Sequence, residues 1–118
     1  MAGRNSRQND ALTMHVASPS DIWMHSKSFP GSHVIIFTKG QPVSDLTLFE
    51  AATIAATLCK AKSSPKVDID YASRTHVWKA NGARPGMVLY KNYKTITVSP
   101  DPRMMEKLRC PEEVKNLL

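Results

Sequence analysis

The chain has 118 residues, 42% of them apolar, with eight prolines and five glycines, a composition that suits one globular domain and excludes a repetitive or low-complexity one. No apolar run approaches the roughly 18 residues a membrane span needs. The polar start Met1-Ala2-Gly3-Arg4-Asn5-Ser6 has no signal-peptide core, so a cytoplasmic protein that contacts no membrane is expected.

Residues 6–17 predict a short amphipathic helix with Leu12, Val16 and Met14 inward, stopped by Pro19. Asp21-Ile22-Trp23-Met24-His25 reads as a strand, with Trp23 and His25 on one face and Ile22 and Met24 on the other. Pro30-Gly31 marks a turn, and the unbroken apolar run Val34-Ile35-Ile36-Phe37 predicts a central strand. Thr47-x-x-Glu50 suits a capping box opening the main helix. Within it Leu48, Ala51, Ala52, Ala55 and Leu58 recur at helical spacing, and Phe49 and Ile54 widen the stripe. So many alanines on one face predict close approach to a sheet, with the helix ending near Lys62. Val67, Ile69 and Tyr71 alternate on one face of the next strand, and Arg74 to Lys79 is a further candidate. Asn81 to Gly86 is a loop by its chemistry. Met87–Tyr90 and Lys94–Val98 then flank Lys91-Asn92-Tyr93 as the arms of a tight hairpin. Pro102 opens a short helix reaching about Arg109, and Pro111 opens another. The expected fold class is α+β: a mostly antiparallel sheet packed on one main Ala-rich helix, with a short N-terminal helix and a C-terminal helical tail. Residues 1–100 form the domain and 101–118 the tail.

The net charge is +6, and it is localised. Residues 1–59 and 101–118 each balance, while Lys60, Lys62, Lys66, Arg74, Lys79, Arg84, Lys91 and Lys94 face only Asp68 and Asp70. A concentrated cationic surface suits a polyanion, because each neutralised phosphate releases condensed counterions. A basic surface that serves only solubility is the other reading.

Several motifs in order extend this reading: Gly3-Arg4-Asn5-x-x-Gln8-Asn9-Asp10, Asp21-Ile22-Trp23-Met24-His25, Pro30-Gly31-Ser32-His33-Val34, the Ala51-Ala52-x-x-Ala55-Ala56 helix, Val67-Asp68-Ile69-Asp70-Tyr71, and Arg84-Pro85-Gly86-x-Val88-x-Tyr90. Over residues 3–100 the chain resembles the NFACT-R family. The resemblance implies an RNA-binding module without enzyme activity or cofactor, with tRNA or rRNA and the large ribosomal subunit as partners during rescue of stalled nascent chains. It also implies strands ahead of Gly3, where only Met1-Ala2 stand here, and the N-terminal NFACT domain and coiled coil of the long proteins, without which independent rescue activity is not expected of this chain. The family's older name suggests a competing role, fibronectin binding or another protein adaptor function.

The residues assigned to RNA contact on this basis are Arg4, Asn5, Asn9, Trp23, His25, Lys27, Ser32, His33, Lys60, Lys62, Lys66, Lys79, Tyr90 and Lys91. Trp23 and His25 either stack on unpaired bases or belong to a second buried layer. Lys60, Lys62 and Lys66 either meet phosphate or simply complement a helix C-terminus. Tyr90 to Lys94 is either an RNA contact or an ordinary exposed turn. A Ser32-His33 hydrolase with Asp21 or Asp10 as its acid is disfavoured, because neighbours on a strand point to opposite faces. A zinc site from His25, His33, Cys59 and His76 lacks any recognisable spacing. Cys59 and Cys110 are expected to be reduced thiols.

Overall fold

The computed structural model describes residues 1–60 and 63–107. Its frame is a four-stranded antiparallel sheet built from β1 (Ile22–Ser26), β2 (Val34–Ile36), β3 (Val67–Ser73) and β6 (Lys94–Val98), in the order β2-β1-β3-β6. A separate two-stranded sheet pairs β4 (Val77–Trp78) with β5 (Leu89–Tyr90). The expected α+β class is the one observed.

The pleat sorts β1 and β3 into two buried layers. Met24, Val34, Val67, Ile69 and Val98 pack under α2 (Asp45–Thr57), where Ala51, Ala52, Ala55 and Ala56 are buried. Small side chains there let the helix backbone sit close to the sheet. On the opposite face, Trp23, Ile35, Leu12 and Val77 form a second core, closed by Val16, Val88 and Tyr90. The N-terminal helix covers part of this face. Its first half is α1 (Ser6–Asp10), and its second half, Ala11–Val16, is wound as a π-helix, with Ala17 N–H donating to Leu12 O at 2.9 Å. Leu12 and Thr13 are both buried within it.

Several expectations need correction. β2 lies at the edge of the sheet, not its centre; its run is continuously apolar because Val34 and Ile36 join one core and Ile35 the other. Its outer flank carries Met1 and Ala2: Ile35 N–H donates to Met1 O at 2.8 Å, and Ala2 bridges Val34. The main helix is capped by Ser44, whose Oγ accepts from Thr47 N–H at 3.2 Å, so Thr47 is already inside it. It ends at Thr57, and Phe49 on its outer side is exposed. Lys94–Val98 pairs with β3, and Leu89–Tyr90 with β4, so 91–93 is a crossing between sheets and not a hairpin. Arg74–His76 is a 3₁₀ turn, which leaves only Val77–Trp78 as strand. Pro102–Lys107 is likewise 3₁₀. Lys62, Cys110 and the expected helices beyond Lys107 lie outside the described residues.

Candidate nucleic-acid interface

The second core continues outward as an aromatic and polar network. Trp23 packs against Tyr90 and His33, with ring centroids 4.6 and 5.6 Å away, and His25 stands 5.3 Å from His33. Asp70, on β3, is buried, and three side chains meet its carboxylate. Tyr90 Oη donates to it at 2.6 Å, Thr95 Oγ1 at 2.7 Å, and Lys27 Nζ forms an ion pair at 3.2 Å. Lys27 Nζ also sits 4.8 Å from the centroid of the exposed Tyr93 ring. The hydrogen bond to Asp70 raises the Lys27 pKa, and burial together with Asp70 raises that of Tyr90.

His33 is held from both sides. Nε2 contacts Gly86 O at 3.2 Å, an acceptor only, so Nε2 carries the proton. Nδ1 is then left to accept from Thr13 Oγ1 at 2.8 Å. Burial is the main cause that pushes the His33 pKa down to about 3, with His25 adding to it, and burial also lowers that of His25.

The first motif acts largely as a clamp. Asn5 caps α1 by accepting from Gln8 N–H at 2.9 Å, and Gln8 Oε1 returns to Arg4 N–H at 2.8 Å. Asn9 is buried; its Oδ1 accepts from His33 N–H at 3.0 Å and its Nδ2 donates to Gly31 O at 3.3 Å. Asp10 accepts from Gly86 N–H at 2.9 Å and from Lys79 Nζ at 3.0 Å. A β-carbon on Gly3 would fall 2.2 Å from Asn9 Oδ1, and one on Gly31 would fall 2.8 Å from Cys59 Cβ. Those two glycines let three segments meet closely: the N-terminus, the turn after β1, and the end of α2.

Where they meet, a groove of about 740 Å³ opens, lined by Arg4, Asn5, Asn9, Gly31, Ser32 and Lys60 among others. A smaller depression of about 290 Å³ adjoins it through Ser6, Asn9, Pro30 and Gly31, and adds His25, Lys27, Phe29 and Met87. The structure thus brings Arg4, Asn5, Asn9, Ser32 and Lys60 to one groove, with His25 and Lys27 beside it. Arg4, Lys27 and Lys60 are exposed there. Trp23 and His33 are not on that surface: Trp23 is 0% exposed and His33 1%. Of the two placements open to Trp23 and His25, the buried layer is the one found for Trp23, because the N-terminal helix and the β4–β5 sheet cover this face, while His25 is half-buried at the edge of the smaller depression. Lys79 is engaged with Asp10 and Arg84 O, and Tyr90 with Asp70. Lys91 and Lys66 are exposed away from the groove lining. Lys62 is outside the described residues.

Sequence reasoning missed Phe29, an exposed ring beside Lys27, and Trp78. Neither lay in a motif, and two residues of β4 were too short a strand to reveal which way the Trp78 indole faces. The hydrolase arrangement does not form: the His33 ring is bonded to Thr13 and Gly86, and Asp21 accepts from the Ser18 and Thr38 amides. Among the described residues no group of three or more His, Cys, Asp or Glu is placed to hold a metal, and no helix is long and apolar enough to cross a membrane.

The sequence and the overall fold both match a known class. Residues 1–92 fit the model of the NFACT protein RNA binding domain, and the chain belongs to that family. It is 47% identical over 109 residues to the Rqc2 homolog RqcH of Bacillus subtilis, covering 92% of this chain and 19% of that protein. It is 36% identical to the Rqc2 homolog RqcH of Streptococcus suis, over 92% of this chain and 20% of the relative. The chain therefore spans about a fifth of the length of these relatives. Among solved structures, the C-terminal part of the fibronectin/fibrinogen-binding protein from Streptococcus suis superposes with a TM-score of 0.85 at 34% identity, covering 93% of this chain and 44% of that one.

Proposed function

We propose that this chain is a non-catalytic RNA-binding module of the cytoplasm that takes tRNA or rRNA in the setting of the large ribosomal subunit and ribosome-associated quality control. Membership of the RNA-binding family over residues 1–92 carries the reading. The relatives named as Rqc2 homologs supply the setting, and the groove supplies the chemistry. Arg4 and Lys60 are far apart in sequence but line the same opening, next to Asn5 and Ser32 with their hydrogen-bonding side chains. Guanidinium and ammonium groups meet phosphate, and the amide and hydroxyl meet sugar or base edges. Non-catalytic action fits a site whose titratable groups are spent on structure: His33 is held neutral and Asp10 and Asp70 are paired.

The test is RNA affinity of Arg4→Ala, Lys60→Ala and the double variant, with Lys39→Ala in a distant turn as control. Each groove variant should lose several-fold affinity for tRNA, and the double variant more, while Lys39→Ala binds as the parent does. Equal affinity in all four would remove the groove from the interface. The solved relative's name favours one other reading, a surface for an extracellular-matrix protein. Binding to immobilised fibronectin that survives nuclease treatment and high salt, without RNA binding, would favour it.

A further inference from the structure

The β4–β5 sheet turns one side inward and the other out. Val77 and Tyr90 are register partners on the inner side against Trp23, which leaves the partners Trp78 and Leu89 facing away. Trp78 is 42% exposed, Leu89 49% and Met87 61%. Met87, Leu89 and Arg84 line an apolar depression of about 470 Å³ between the 80–84 turn and β5, and Trp78 adjoins it as the register partner of Leu89. Met87 lines this depression and also the smaller one next to the Arg4–Lys60 groove, so its side chain stands between the two. Residues 71–100 contain no acid, and of their five cations Arg84, Lys91 and Lys94 are exposed, while Arg74 and Lys79 are engaged inward.

We propose that this depression is a docking place for an unpaired nucleobase, with the Trp78 indole and the Leu89 and Met87 side chains as its platform and Arg84 meeting the adjoining phosphate. The proposal rests on the RNA-binding reading and adds to it a specific element, single-stranded RNA. An apolar surface in a stretch without acids suits a ligand that is flat and apolar on its faces yet anionic along its backbone. A base locked in a duplex cannot present its face, so the site discriminates unpaired from paired RNA.

The experiment uses the whole chain with single-stranded oligoadenylate of about twelve nucleotides and a fully paired duplex of equal length. Affinity is read by anisotropy and stacking by tryptophan emission. The parent should bind the single strand with quenched emission. Trp78→Ala should lose roughly tenfold in affinity for the single strand and little for the duplex. Trp78→Phe should keep most of the affinity and lose the quenching, since buried Trp23 is out of reach. Leu89→Ser gives an independent variant should Trp78→Ala fail to fold, and it should weaken single-strand binding in the same way. Parental affinity in folded Trp78→Ala and Leu89→Ser, alongside weakened Arg4→Ala, would overturn the base site and leave the RNA reading standing. No RNA binding by the parent would overturn both. Concentration-dependent dimerisation abolished by Leu89→Glu would give the surface to a second copy of the chain, against the proposal.

Discussion

Trp23 shows how one side chain can look like a ligand platform and serve as a keystone. It lies on the strand face opposite Met24, as alternation requires, but that face is roofed by Leu12, Val77, Val88 and Tyr90. Its indole stacks near His25, with centroids 6.1 Å apart, and its Nε1 has no hydrogen-bond partner among the described residues. Removing the ring would therefore open a large cavity. Trp23→Ala should cost roughly 3–5 kcal/mol of stability. Trp23→Phe keeps an aromatic ring against Tyr90 and His33 and discards the unpartnered donor, so it should cost only about 1 kcal/mol. Chemical denaturation of both variants checks this; near-parental stability of Trp23→Ala would mean that the indole is not part of the core.

At the scale of elements, the parts legible in the sequence were those whose periodicity answers to burial. Val67, Ile69 and Tyr71 face α2 as alternation indicated, and the alanines of α2 lie on the sheet. What escaped was pairing, which periodicity does not encode. A two-residue strand carries no period, and nothing local in Lys91-Asn92-Tyr93 says that β5 and β6 belong to different sheets. The groove was half legible: motif order marked Arg4, Asn5 and Ser32, but only the fold shows that Asn9 and Asp10 are clamps. His33 belongs to the same clamp, joining β2 to the N-terminal helix through Thr13 and to the 82–86 loop through Gly86. Because its folded pKa is about 3, well under the ordinary value of 6.5, the unfolded chain takes up the proton first as pH falls. The stability this neutral imidazole contributes is whole above about pH 6.5 and declines below it, by up to roughly 1.4 kcal/mol per pH unit. The lowered pKa of His25 acts in the same direction. Denaturation midpoints should thus fall between about pH 7 and 5, with a shallower fall in His33→Gln. A midpoint flat across that range in the parent would show that His33 is not held neutral.

Across the whole molecule, the formal charge and the charge available to a ligand differ. Lys79 is spent on Asp10 and Lys27 on Asp70, and Arg74 donates inward to the Thr13 and Val77 carbonyls. The cations left exposed include Arg4, Lys60, Arg84, Lys91 and Lys94. Arg4 and Lys60 flank the groove and Arg84 the apolar depression, while Lys91 and Lys94 follow β5. An RNA lying along that path would neutralise roughly four to six phosphates, each releasing most of one condensed counterion. Affinity for tRNA should then fall on the order of a hundredfold or more between about 50 and 200 mM salt. Arg4→Ala and Lys60→Ala should each lower the slope of log affinity against log salt by about 1. Lys79→Ala should not, because its ammonium is already matched by Asp10. It should instead loosen the tie between Asp10 and the 82–86 loop and show up as lost stability. A titration of parent, groove variants and Lys79→Ala under the same buffers separates the two kinds of lysine. An unchanged slope in every variant would mean that RNA is held by something other than this cationic path.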